Sequence, residues 1–223
     1  MRNSKFAVIG LGVFGSAIAR KLAERGADVM AIDESEDKVQ SIANDVAYAV
    51  SLDATNKHAL ESQSIAEMDA VVVSIGSSFQ EMILCVFQLQ AIGVKQIIAR
   101  AQGPVQREIL TKMGIEHVLS PELEVANNVA EQLTTPGVLM CVNLPDEHEI
   151  IEVAAPKKLH GRTLEDIGLR KKYKVNLITV LKKSDDGHHI KGVPGPDTVI
   201  DEGDIIMIFG LTKDVNRFIE INA

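Results

Sequence analysis

A chain of 223 residues, 46% of them hydrophobic, has room for one generous domain or two small ones with a substantial core. A formal net charge of −8 argues against broad binding along a phosphate backbone, which needs Lys and Arg gathered on one face, so no nucleic-acid partner is expected. No apolar run reaches the roughly 18 residues of a membrane-spanning helix, and the opening "MRNSKFAVIG" reads as the approach to a strand rather than as a signal segment, so a soluble, cytoplasmic chain is expected.

From Lys5 to about Leu119, short apolar runs alternate with helical patterns. "KFAVIG", "DVMAID", "VAYAVS", "DAVVVSIG", "KQIIAR" and "EHVLS" read as six strands. Runs that are apolar at nearly every position belong to strands covered on both faces, and strands separated by helices imply right-handed crossovers. The fold class expected is α/β, a Rossmann-like parallel sheet followed by a small α+β domain.

The first strand ends in "AVIGLGVFGSAIA", with glycines at 10, 12 and 15. A bare GxGxxG is weak evidence, but this one follows a strand, opens a helix near Phe14, and has Asp33 at the end of the second strand about 20 residues on. In that arrangement Gly10 permits the tight turn and Gly12 lets backbone amides approach a pyrophosphate. Gly15 allows close helix-to-strand packing, and the helix N-terminus offers N–H groups to the phosphates. The Asp33 carboxylate suits an adenosine ribose diol and repels a 2′-phosphate, which disfavours NADP.

Further along, "EDKVQSIAND" is a helix introduced by Asp33 to Ser35, and Gly26, Gly93 and Gly114 stand where helices should stop. In "SLDAT", Asp53, Ala54 and Thr55 follow the third strand; Asp53 either accepts from an adenine amine or, with Thr55, caps the next helix. In "VSIGSS", Ile75 and Gly76 would line a pocket floor at the switch point, with Ser77 or Ser78 capping the helix after it. Arg100, ending the fifth strand, reads as a phosphate partner or as a surface ion pair. "QEMILCVFQLQAIG" is apolar on more than one face, so it should be buried on both sides, inside the domain or against another subunit. Cys85 within it reads as a small buried hydrophobe, and neither it nor Cys141 has a CxxC partner.

The helix "PELEVANNVAEQL" leads to "TTPG" at Thr134 to Gly137, after which the pattern changes. "VLMCVNL", "HEIIEVAA", "VNLITVL", "HHIKGV" and "DIIMIFG" read as strands, with turns at Asp146, Asp186-Gly187 and Glu202-Gly203. No catalytic constellation accompanies the glycine turn. His58, His117, His148, His160, His188 and His189 are scattered, and GxSxG, HExxH and Walker A patterns are missing. An NAD-dependent oxidoreductase, the main alternative, would need an acid or base poised over a nicotinamide. A redox-sensing transcription factor would need a basic helix-turn-helix.

The two halves together resemble the regulatory RCK subunits (TrkA-N followed by TrkA-C) of bacterial Trk and Ktr potassium-uptake systems. The first half of the likeness rests on "FAVIGLGVFGSAIA", "VMAIDESEDKV", "DATNKHAL", "VSIG" and "SPELEVANNVA"; the second on "KLHGRTLEDIGLRKKYKVNLITVLKK" and "DTVIDEGDIIMIFG". It implies an N-terminal nucleotide-binding domain over residues 1–120, a linker or crossover helix over 121–137 and an RCK_C domain over 138–223. It further implies a non-enzymatic, cytoplasmic subunit, peripheral at the inner membrane face, that binds ATP, ADP or NAD(H) and gates a membrane potassium-transporter subunit. Self-association as a dimer or octameric ring is implied too, through the helix around Met82 to Leu89 and the linker helix from Glu122 to Leu133.

By the same resemblance Gly10, Gly12, Gly15, Asp33, Asp53 and Arg100 match nucleotide-contacting positions. Glu122 matches a ligand for a divalent cation, Mg or Ca, or else stabilises the N-terminus of its helix. Val13 stands where many relatives carry an arginine near the terminal phosphates, which leaves room for ADP, AMP or NAD(H) beside ATP. Arg170, Asn176 and Pro194 lie where some relatives bind cyclic di-AMP, although "LRKKYK" reads first as a solvated helix end.

Overall fold

The computed structural model describes residues 4–190 and 192–222, and the chain divides into two compact units, Met1–Leu123 and Glu124–Ala223. Met1 to Asn3 of the opening segment, and Lys191 of the "HHIKGV" run, lie outside the described residues.

The first unit alternates strand and helix throughout: β1 (Lys5–Ile9), α1 (Val13–Glu24), β2 (Asp28–Asp33), α2 (Glu36–Ile42), β3 (Tyr48–Ser51) and α3 (Lys57–Ser62). It continues with β4 (Ala70–Val73), α4 (Phe79–Ile92), β5 (Ile97–Arg100), α5 (Pro104–Lys112), β6 (His117–Leu119) and α6 (Pro121–Thr134), the last running on into the second unit. All six expected strands form one sheet in the order β3-β2-β1-β4-β5-β6, with every pairing parallel. The apolar runs explain its two covered faces. Along β1, Ala7 and Ile9 join one buried cluster with Ile32 and Val73, while Val8 joins another with Val29 and Ala31 on the opposite face.

Strand order reverses between β1 and β4, and this reversal places the site. Ile9 is in register with Ile32 of β2 and with Val73 of β4, so three strands end level and their following loops share one crevice. Glycine ends the helices where expected, with Gly26, Gly93 and Gly114 all in the left-handed region. The expectation for α4 is met on one face only within this chain. Met82, Cys85, Val86 and Leu89 are buried, whereas Phe87 is 58% exposed, because α4 belongs to an outer helix layer that nothing in its own unit covers.

The second unit contains β7 (Val138–Leu144), β8 (His148–Ala154), β9 (Arg162–Thr163), α7 (Leu164–Ile167), β10 (Asn176–Ser184), β11 (Gly187–Ile190), β12 (Val199–Ile200), β13 (Ile205–Leu211) and α8 (Thr212–Asn222). Five strands form an antiparallel sheet, β11-β10-β13-β8-β7, and β9 pairs with β12 in a separate ribbon. Period-two burial along β13 points Ile206 and Ile208 at a core shared with Ile151, Val153 and Phe218 of α8. The expected turns are present: Asp146 and Glu147 both take positive φ between β7 and β8, and Gly203 does so before β13. "LRKKY" forms a π-helical stretch that buries Leu169 and leaves Arg170 to Lys172 exposed.

Candidate functional site

The crevice at the ends of β1, β2 and β4 holds a cavity of about 330 Å³. Of the residues expected there, Gly10, Gly12, Asp33, Asp53, Ala54, Thr55, Ile75, Gly76 and Arg100 stand in its wall. Val13, Phe14, Gly15 and Glu122 do not. Val13 is 95% exposed, and Gly15 lies packed under the turn with a side chain's worth of space denied to it.

The glycines of the turn have separable reasons. Gly10 has φ +93°, and a Cβ there would come within 2.8 Å of the backbone joining Ser74 to Ile75. A Cβ on Gly15 would stand 1.9 Å from the carbonyl oxygen of Gly10, so α1 could not approach the strand end. Gly12 has an ordinary φ of −69° and meets no protein atom within 4 Å, so nothing in the fold requires glycine there. The clearance suits a ligand instead. As N-cap of α1 it offers no side-chain oxygen to the first amides, and the first turn carries no acidic residue, which leaves the positive end of the helix available to an anion.

Asp33 is buried, and its carboxylate ties the site together. Its Oδ2 accepts from the Leu11 amide at 2.7 Å, its Oδ1 from the Ser35 amide at 3.0 Å, and both oxygens from the Lys38 ammonium at 3.2 Å. Asp53 closes its own turn: Oδ1 accepts from the Thr55 amide at 2.8 Å and hydroxyl at 2.7 Å, and those bonds, the hydroxyl's foremost, hold its carboxyl below the usual carboxylate range. The cap of α3 is neither Asp53 nor Thr55 but Asn56, whose side chain accepts from the amides of His58 and Ala59. Ser78 caps α4 by accepting from the Glu81 amide.

At the other end of the cavity, Arg100 pairs with Glu122, the second residue of α6, and its guanidinium lies 5.5 Å from the Phe14 ring centroid. The Arg100 hydrogen bond is the largest cause holding the Glu122 carboxyl below its ordinary value. Two polar atoms in this wall are buried without a partner, Ser74 Oγ and Arg100 Nε. Buried polar atoms are normally satisfied, so this pair fits a ligand bearing hydrogen-bonding oxygens. Together with the space at Gly12 and the uncapped helix end, it makes the cavity suit an anionic ligand. For a divalent cation the chain offers less. Glu122 is already paired, and no group of three metal-ligating side chains occurs among the described residues.

Sequence reasoning passed over Ser74, Glu81, Gln102 and Lys38, all of which line the cavity. Lys38 carried a readable signal, since the third residue of α2 sits one helical turn beyond the β2 carboxylate. His148 pairs with the Asp146 carbonyl and His160 with that of Ala155, and no histidine lines the cavity. Burial pushes the Cys85 thiol up to about 12 and that of Cys141 up to about 11, so both are held as inert thiols. In the second unit Arg170 donates to Asn176 at 2.7 Å. No helix among the described residues is long and apolar enough to cross a membrane.

The first unit thus has the crevice of a doubly wound nucleotide-binding fold. Family models for the TrkA-N domain match residues 6–121 and for the TrkA-C domain residues 148–223, and the chain belongs to the family that joins the two. It is 35% identical to Ktr system potassium uptake protein C of Bacillus subtilis (strain 168), across 97% of this chain and 96% of that protein. With Ktr system potassium uptake protein A of the same organism the identity is 33%, over 98% and 96%. Among solved structures, a GsuK channel bound to NAD superposes over 96% of this chain with a TM-score of 0.68 at 17% identity, a likeness of fold. This chain spans 38% of that structure's length.

Proposed function

We propose that this chain is a non-enzymatic regulatory subunit that binds an adenine nucleotide, ATP, ADP or NAD(H), at the glycine turn and thereby controls a membrane potassium transporter of the Trk/Ktr type. The observation that carries the reading is the cavity itself: clearance at Gly12, an uncapped helix end, and two orphaned polar atoms, in a chain whose relatives are potassium uptake proteins. A nucleotide can shift an assembly only by binding its two states with different affinity. Arg100 is placed for that role, because it joins the cavity to the first turn of α6 through Glu122. A divalent cation at Glu122 would require Arg100 to let that carboxylate go.

The reading extends to a cytoplasmic position at the membrane through the partner, to self-association as a dimer or ring, and to the Arg170 region as a cyclic di-AMP contact. Calorimetric titration of the purified chain should show binding of ADP, ATP or NADH, weakened about tenfold or more in Asp33→Ala, because the carboxylate that ties the glycine turn at Leu11 to the start of α2 at Ser35 and Lys38 is lost with any contact it makes to the ribose. The chain should copurify with a Trk/Ktr-type membrane subunit and render its potassium flux nucleotide-dependent. Failure to bind any of these nucleotides, or consumption of NADH, would overturn the proposal.

A further inference from the structure

An ionised carboxylate offers about four lone-pair positions to donors. At Asp33 all four are taken: Leu11 N–H and Lys38 on Oδ2, Ser35 N–H and Lys38 on Oδ1. A ribose diol therefore finds no free acceptor on the residue best placed to hold it. The two amides are fixed, one within the glycine turn and one at the N-cap of α2. Lys38 reaches the carboxylate on a flexible stem from the first turn of α2, with half of its side chain exposed. It alone among the three donors can leave without unfolding the site.

We infer that Lys38 is an internal competitor for the ribose hydroxyls at Asp33, and that its displacement sets how strongly the pocket reads the sugar. The inference rests on the adenine-nucleotide reading above. A charge-assisted bond from the ammonium is stronger than one from a neutral hydroxyl, and the ammonium also neutralises a carboxylate that is only 7% exposed. Exchanging it for two hydroxyls returns hydrogen bonds without returning charge. The sugar's contribution is thereby discounted, and selectivity shifts to the contacts at the phosphates and base. Glu34, an anion, stands in the same wall.

The test titrates ADP and 2′,3′-dideoxy-ADP into the full chain by calorimetry, for wild type, Lys38→Met and Lys38→Gln. Wild type is expected to prefer ADP by less than about threefold. Lys38→Met, with Asp33 free to accept, should prefer it by about tenfold, chiefly because ADP binds more tightly. Lys38→Gln, a neutral donor of shorter reach, should fall between them and serves if the Met variant does not fold. An unchanged or smaller preference in the variants, with both nucleotides still binding, would overturn the role of Lys38 and leave the nucleotide reading standing. Loss of all binding in wild type would overturn both.

Discussion

A Cβ on Gly15 would collide with the Gly10 carbonyl, whereas one on Gly12 would enter open space. Two substitutions three residues apart should therefore fail differently. Gly12→Ser supplies a favourable N-cap to α1, so the melting temperature should hold or rise, while its hydroxyl takes the first amides and adenine-nucleotide affinity falls at least about tenfold. Gly15→Ser should lower stability by more than about 2 kcal/mol in urea titrations, because backbone must move to admit it. Equal destabilisation by both would refute the assignment of Gly12 to the ligand. At this scale the sequence was readable where a residue's job is set by its neighbours in the chain, as with the tight turn at Gly10 and the close helix approach at Gly15. It was not readable where the job depends on approach through space. Ser74, whose Oγ is unpartnered, lies beside the turn that follows another strand, and Glu122 meets Arg100 across 22 positions.

Glu149, on β8, is a second residue whose state the chain order conceals. It points to the core face beside Ile151 and Val153, only 3% exposed, with Oε1 unpartnered and Oε2 reached by Thr212 Oγ1 at 3.3 Å and Cys141 Sγ at 3.7 Å. Burial pushes its carboxyl up, outweighing the hydrogen bonds from Thr212 and Cys141 that lower it, and the Glu131 carboxylate of α6 adds a smaller push upward. The folded chain thus holds this proton more tightly than the unfolded one. Its contribution is complete below the ordinary value of 4.5 and is lost as pH rises through the raised value. Chemical denaturation across that window should show wild type losing stability relative to Glu149→Gln as pH rises. A constant difference between the two would refute the protonated carboxyl.

Among the elements, strands with apolar runs were legible, whereas the amphipathic α8, which buries Val215, Phe218 and Ile219, was passed over and the shortest elements carried no signal. β1 to β6 announce themselves by apolar runs. β9 and β12, two residues each, and the four-residue α7 carry no periodicity and exist through tertiary pairing. α3 was anticipated, but its cap was misplaced by one to three residues, because Asp53, Thr55 and Asn56 all favour the end of a loop and only backbone geometry selects among them. Asn56→Ala should cost about 1 kcal/mol by urea titration. It should also weaken nucleotide binding, since the same turn presents Asp53 to Thr55 to the cavity. Binding untouched by the lost cap would mean that this turn holds its shape through the Asp53–Thr55 bonds alone.

On the scale of the whole molecule, the two units have separate cores: Ile9, Ile32 and Val73 with their neighbours in the first, Ile151, Ile208 and Phe218 in the second. α6 passes from one to the other with none of its residues buried, so neither core extends along it. Cooperativity follows shared burial, and two calorimetric transitions are expected. A ligand confined to the first unit stabilises only that unit. At a hundredfold excess over Kd the gain is about 2.7 kcal/mol, roughly a 10 °C rise for a unit of this size. Adding ADP should therefore move one transition and leave the other in place, and Glu149→Gln at alkaline pH should move only the one that ADP leaves. A single transition responding to both would mean that nucleotide binding is felt by the C-terminal unit through its folding equilibrium, which the separation of the cores argues against.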